Sequence, residues 1–551
     1  MKKILFFLIT LPLFIVGCEL DRMPETTLTD DAFWKAENDL RNSCNYLYEL
    51  LDGFSHDTRS DELVKTSSDD ISNGSRPTPS TDSINWSAPY LKINVSNNIL
   101  DKAVNASIAE SSKNRWLAEA RFFRAYNYFE LVKKYGGVPL ILKSFDSTDD
   151  PEIYKGRNTL EEVITQCYVD LDFASKWLPT HAVIAASSSD WGRASRSSAL
   201  ALKARIALYI GTLTKYHSLP GDAKSHLKKS IEACEAVMKE GHSLYPDFPK
   251  LFYLDGEGAS NKENIFVKVY GPNGAPTTHH ANSRQMENTV SLTRQMIDQF
   301  LYTDGLPREK SPLKPAVEPS FDSTLENRDP RLLMTVFKIN EDAYKGPYQP
   351  FSNQHGYGYS LKKGFMLTQW ETATKEYVDK MLIRYAEILV TYAEALYEHN
   401  DAISDTELDK TINLIRSRAG FTAKLTNDFV KINGLSMLDE IRRERTVEFI
   451  DENFRYDDII RWKIAEKVLP QYMIGAKYVD DETSKERENL KNRLTDANGM
   501  LNGVFVYDQK DMYVIEIKDS RRFNPNKDYL YPIPVNEIAL TGNAIKQNPN
   551  W

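Results

Sequence analysis

The chain has 551 residues, with 69 basic against 78 acidic side chains and a formal charge of −9. A net acidic chain without a Lys/Arg-rich run excludes nucleic acid as the expected partner, and adhesion to anionic lipid by charge alone. Its four cysteines are too widely spaced for a disulfide framework or a Cys-x-x-Cys metal site, and Cys44, Cys167 and Cys234 sit in apolar, helical-looking segments as small core residues.

The chain opens on Met1-Lys2-Lys3 and an apolar run, Ile4 to Val16, broken only by Thr10 and Pro12. That is the length of a signal-peptide core and is too short for a bilayer, which needs about 20 apolar residues. Ile15-Val16-Gly17-Cys18 follows, a small residue before a thiol, and resembles a lipobox. The expectation is cleavage after residue 17 and acylation of Cys18. The mature chain then has 534 residues (551 less 17) and a charge of −11, from 67 basic and 78 acidic groups. The plainer alternative is a secretory signal with a chance cysteine. Several acyl chains, at about 0.8 kcal/mol per buried methylene, would hold the protein firmly.

Residues 18–30 read as an extended tether. Asp31 to Leu51 reads as a helix, with Phe33, Leu40, Leu47 and Leu51 recurring on one side. Residues 53–85 are rich in Ser, Asp, Thr and Pro and read as a long irregular excursion. Trp86–Ala106 and Ser111–Tyr135 form a predicted helical hairpin, stopped by Gly136-Gly137. Further helices are predicted at about 158–178, 196–214 and 222–240. Residues 245–375 mix turns, short strands and helices. Helices return at 381–398, 404–419, 435–451 and about 454–468. Residues 470–528 read as polar and irregular. The fold class is therefore mainly α: tetratricopeptide-like helical hairpins over about 31–240 and 381–468, with a loop-rich subregion carrying short strands.

Several segments occur in a specific order. They are Ala118-Glu119-Ala120-Arg121 running on to Tyr135-Gly136-Gly137-Val138-Pro139; Asn327-Arg328-Asp329-Pro330-Arg331; Leu382-Ile383-Arg384-Tyr385-Ala386-Glu387; Ile415-Arg416-Ser417-Arg418-Ala419-Gly420; Ile441-Arg442-Arg443-Glu444-Arg445 with Glu448-Phe449 and Arg455 to Trp462; and Tyr531-Pro532-Ile533-Pro534 with Gln547-Asn548-Pro549. This set resembles the SusD/RagB family of outer-membrane nutrient-binding lipoproteins of the Bacteroidetes. The resemblance implies one SusD-like domain over 31–551, oligosaccharide binding without catalysis, no cofactor, and a SusC-like TonB-dependent transporter as partner. It also implies the outer membrane, facing outward, as location.

The motifs themselves read as scaffold. Helical spacing puts Arg384 beside Glu387, and Arg416, Arg418, Arg455 and Arg461 are placed to clamp carboxylates where helices meet. A sugar site needs aromatic faces with hydrogen-bonding neighbours. Two irregular regions offer them. One holds Asp69, Asp70, Asn73, Arg76 and Trp86. The other, 344–370, holds Tyr344, Tyr348, Tyr357, Tyr359 and Trp370. Ordinary loop packing is the competing reading for each ring.

An enzyme reading is weaker. Adjacent Asp69-Asp70 and Asp457-Asp458 diverge on a strand or helix rather than facing across a glycosidic bond, and His279-His280 lacks metal-ligand spacing. No metal or catalytic residue is assigned. A helical-repeat lipoprotein that binds proteins or a non-glycan nutrient remains the alternative.

Overall fold

The computed structural model describes residues 33–551 except 66–67, 146, 272–277, 288–289, 351–357, 373–374, 479–492, 495 and 497. Cys18 and Tyr357 lie outside the described residues. The architecture is mainly helical. The scaffold helices are α1 (Glu37–Glu49), α2 (Ala88–Lys102), α3 (Glu110–Tyr135), α4 (Leu160–Trp177), α5 (Arg196–His217), α6 (Ala223–Met238), α7 (Tyr385–Asn400), α8 (Met437–Glu448) and α9 (Arg455–Arg461). Each packs on the next from α2 through α7, and α7 also packs on α8. Serial packing of this kind is how helical repeats bury a continuous core.

Local chemistry sets the helix ends. Thr159 and Glu162 form a capping box at α4, and Asp222 accepts the Ser225 N–H at the start of α6. At the end of α3, Gly136 takes φ +72°. A Cβ on Gly137 would lie 2.2 Å from the Asn158 carbonyl oxygen, so the chain can leave α3 only on a residue without a side chain. The Tyr531-Pro532-Ile533-Pro534 segment straps this end: the Tyr531 N–H donates to the Lys134 carbonyl at 2.7 Å, and the Asn548 amide donates to the Tyr531 carbonyl at 2.8 Å.

Two expectations are corrected here. The helix expected from 381 starts only at Tyr385. Lys380–Arg384 is instead a strand, pairing antiparallel with Asn264–Lys268 in the register Lys268↔Lys380, Val267↔Met381, Phe266↔Ile383 and Asn264↔Arg384. Alternation seats Ile383 in the core, and the apolar stripe continuous with α7 had disguised it. Call these strands β1 (Asn264–Lys268) and β2 (Lys380–Arg384). Arg384 therefore does not meet Glu387, which is clamped by Arg205 at 2.6 Å. Second, the described part of 470–528 carries several short strands, among them β3 (Met473–Lys477) and β4 (Met512–Glu516), paired antiparallel. Every residue of β3 is buried, so short apolar stretches inside a polar region carried more structure than composition suggested.

The buried arginines clamp carboxylates as expected. Glu448 of α8 receives Arg384 at 2.7 Å, Arg331 at 3.0 Å and Arg418. Arg384 also binds Glu263 at 2.9 Å and Glu452 at 2.7 Å, and Arg416 binds Glu444 at 2.7 Å. Arg461 clamps Glu394 with contacts of 2.6 and 2.8 Å, and Arg455 clamps Asp61 with two of 2.8 Å. Burial disfavours the Glu448 carboxylate, yet Arg418, Arg384 and Arg331 together hold its pKa well below the usual range.

Two substitutions test this frame. Glu448→Gln leaves three buried guanidiniums short of an anion and should cost about 3–5 kcal/mol in denaturant unfolding; an unchanged midpoint would refute the clamp. Gly137→Ala should cost about 1–3 kcal/mol through the carbonyl clash, read as a lowered melting temperature, and a melt matching the parent would show that the chain relaxes freely there.

Candidate functional site

The described residues of the excursion 53–85 are pinned rather than loose. Asp69 accepts the N–H groups of Ile71 (2.9 Å) and Ser72 (3.0 Å) and the Thr58 hydroxyl (3.2 Å). The exposed Asp70 takes the Ser75 hydroxyl at 3.1 Å, and Asn73 accepts the Ser75 N–H at 2.9 Å. The Arg76 guanidinium lies 3.3 Å from the centroid of the Tyr531 ring. Asp69 and Tyr531 both line a polar cleft. Much of the polar chemistry of this segment thus builds its own turns.

The expected ring platform is largely corrected. Trp86 is only 4% exposed and packs against Tyr90 and Tyr135, with ring centroids at 5.3 and 4.9 Å. Tyr344, Tyr348 and Tyr359 are fully buried in a second core with Phe321, Phe337 and Phe365. Rings spaced among glycines and prolines looked like loop residues, but their apolar area closes this core and leaves no face for a sugar. Trp370 is partly exposed; its indole N–H donates to Glu287 at 2.8 Å, and Arg284 stacks 3.8 Å from the ring centroid.

A different set of rings reaches solvent. Phe54, at the start of the excursion, lies 4.4 Å from His280 and 6.0 Å from Tyr270, centroid to centroid. Tyr270 lies 4.8 Å from His280, and Tyr377 lies 6.1 Å from His279. Phe54, Tyr270, His280 and Tyr377 are partly exposed and His279 is exposed. Of these, Phe54 and His280 line the smaller of two adjoining clefts, of about 460 Å³ and 70 Å³, that share Ser55, Lys380, Met381, Glu452 and Asn453 in their walls. Together they form one trough between the excursion, β2 and the turn after α8. Sequence reading missed Phe54, Tyr270 and Tyr377. They lie in three distant segments, and the pairing of β1 with β2 helps bring two of them together.

The polar groups around the rings are held in fixed states. His280 donates from Nε2 to the Val378 carbonyl at 3.0 Å and accepts the Asn282 N–H on Nδ1 at 3.2 Å. Burial, reinforced by His279, brings its pKa down to about 4, so the ring is neutral at pH 7. Burial raises Asp379 to about 6; burial and nearby Asp379 raise Glu257 to about 7. Both carboxyls accept backbone N–H groups, Asp379 from Tyr270 (2.8 Å) and Glu257 from Asp379 (2.6 Å). His56 lines the larger cleft with Nδ1 on Asp451 at 2.8 Å; among the described residues its buried Nε2 has no partner. Among the described residues no cluster of three or more His, Cys, Asp or Glu is arranged to hold a metal ion.

A scaffold of serially packed helical hairpins thus carries an irregular second lobe and an open aromatic trough. Sequence comparison is consistent with that description. The model of the SusD family matches residues 253–551, and a second, described as starch-binding associating with outer membrane, matches 41–208. The chain belongs to the SusD family. A SusD-like protein P38 of Formosa agariphila is 24% identical over 494 residues, covering 84% of this chain and 92% of the relative. A SusD-like protein of Bacteroides ovatus is 24% identical over 507 residues, covering 86% and 84%. Among solved structures, a SusD-like carbohydrate-binding protein of Bacteroides fragilis superposes with a TM-score of 0.72 at 23% identity, covering 93% of this chain and 99% of that one. A laminarin-binding SusD-like protein gives 0.63 at 20% identity, covering 94% and 100%.

Because the depressed His280 binds fewer protons folded than unfolded, its share of stability is present above about 6.5 and is lost as pH falls toward 4. Replacing His280 with Gln should shallow the pH dependence of unfolding free energy across that window by up to one proton. An NMR midpoint near 6.5 for this ring would contradict the assigned hydrogen bonds.

Proposed function

We propose that this protein is a non-catalytic surface lipoprotein that captures oligosaccharides in the aromatic trough and delivers them to a SusC-like TonB-dependent outer-membrane transporter. The observation that carries the reading is the set of partly exposed rings, Phe54, Tyr270 and Tyr377, of which Phe54 lines the smaller cleft that adjoins the polar one. A pyranose packs its C–H face on such a ring while neighbouring donors and acceptors take its hydroxyls. Asp69 in the cleft wall, Asp70, Asn73 and Arg76 in the same turn, and Trp370 near the other end supply further candidate contacts. Ser55, Asn453 and neutral His280 add hydrogen-bonding groups that need no counter-ion.

Binding without cleavage suits this chemistry. The His56–Asp451 pair resembles two-thirds of a hydrolytic triad, but no hydroxyl meets Nε2 among the described residues. The raised Glu257 and Asp379 each accept a backbone N–H group, Asp379 in the wall of the smaller cleft. Family membership and the carbohydrate-binding relatives favour a glycan, and acylated Cys18 would anchor the protein at the outer membrane, facing outward. Tethering beside a transporter mouth keeps released sugar at high local concentration.

Calorimetry with an oligosaccharide panel tests the reading. Phe54→Ala and Tyr270→Ala should each weaken the best ligand about tenfold, the loss of a ring anchor worth about 1.4 kcal/mol, without changing the melting temperature. Cys18→Ala should release the protein from the envelope with affinity intact, and the transporter should co-purify with the anchored form. Failure of every glycan to bind, both to the protein alone and to its transporter complex, would sink the proposal.

A further inference from the structure

The trough contains an arrangement that costs stability and that the scaffold does not require. In the β1–β2 ladder, Lys268 and Lys380 are directly opposed. Like charges facing across an antiparallel pair are destabilising. Neither lysine has a carboxylate within ion-pair distance among the described residues. The Lys380 ammonium donates to the Gly53 carbonyl at 2.6 Å, and that of Lys268 donates to the Leu51 carbonyl. Burial lowers the pKa of both, and each is lowered further by a neighbouring lysine: Lys268 by Lys92, and Lys380 by Lys268.

The nearby anions are already engaged. Asp52 pairs with Lys92 at 3.0 Å, and its side chain is 66% exposed, so water screens what it offers the other two lysines. Asp451 is held by His56 at 2.8 Å, and Glu130 by Lys133 at 2.9 Å. Asp379, adjacent in sequence, is turned to the Tyr270 N–H, and its raised pKa is that of a carboxyl without a cation. Three ammonium groups thus share one exposed carboxylate at the edge of a binding trough.

Their position relative to the rings gives the arrangement a use. The Lys380 Nζ lies 6.0 Å from the centroid of Phe54, and the Lys268 Nζ lies 5.6 Å from that of Tyr270. Lys380 also stands in the wall of both clefts. Each ammonium has three N–H donors, and the carbonyl takes one. A sugar stacked on either ring would bring its substituents toward unspent donors.

We propose that the trough selects acidic oligosaccharides, and that Lys268 and Lys380 receive the carboxylate or sulfate groups of the sugar. The proposal rests on the reading of the trough as the glycan site. A bound anion removes the cross-strand repulsion, so selectivity comes from relief of a cost already built into the unliganded protein, as well as from new contacts.

The test compares tetragalacturonate, a sulfated galactan tetrasaccharide and neutral laminaritetraose on the purified full chain by calorimetry. At least one acidic probe should bind about tenfold or more tighter than the neutral one, or about 1.4 kcal/mol, and the margin should shrink as salt is raised. The two acidic arms tell a carboxylate from a sulfate ester. Lys268→Gln and Lys380→Gln should erase the acidic preference, weakening the acidic probe far more than laminaritetraose, and Lys380→Arg should retain it. Melting temperatures of all variants check that the β1–β2 ladder survives. Equal or tighter binding of the neutral probe, or equal losses for acidic and neutral probes in the variants, would overturn the acidic assignment while leaving the glycan site intact. No binding of any probe would count against both readings together.

Discussion

The buried carboxylate of Glu448 is the constraint from which the rest of the molecule is hung. Three guanidiniums reach it from separate parts of the chain: Arg331 from the irregular middle, Arg384 from the end of β2, and Arg418 from the helix Ile412–Arg418. Removing such groups from water is expensive unless every one is matched, and here the matching continues outward through Glu263, Glu444 and Glu452. The network locks the helical scaffold to the second core. It also fixes the direction in which β2 runs, because Arg384 at one end of that strand sets where Lys380 at the other end emerges.

That lock explains a division of labour. The helices and the ion network are fully committed to one another, with their motifs spent on packing. The trough is assembled at the edge of this rigid frame from residues that are only partly committed. Phe54 follows α1 by a few residues, Tyr270 follows β1, and Tyr377 precedes β2, so each ring is carried close to a fixed element. Rings held this way lose little conformational freedom when a ligand arrives, which favours affinity without needing a large interface.

Much of the scaffold was legible in the sequence because it obeys simple periodicities. The bounds of α3, α4 and α6 follow from apolar spacing, capping residues and the Gly136-Gly137 stop, and the arginine-rich motifs were readable as clamps. Short strands were not. β2 lies against the start of α7 with no turn between them, so its alternation merges into a helical stripe. The site was less legible still. Tyr344, Tyr348 and Tyr359 share the local composition of surface loops, and only three-dimensional closure shows that they fill a core. The rings that do reach solvent have no common motif, since their proximity depends on long-range strand pairing. The opposed lysines are invisible without the register.

The excursion after α1 also bears on when the protein becomes competent. His56 bonds to Asp451 across 395 residues, Arg59 bonds to Tyr531 across 472, and the Arg522 N–H donates to the Asn73 carbonyl. These contacts between early and late chain close one wall of the trough. Contacts so distant in sequence form late in folding, after local helices are in place. A partly synthesised chain therefore has helices but no finished trough. Completion of this wall is postponed until the last segment has docked.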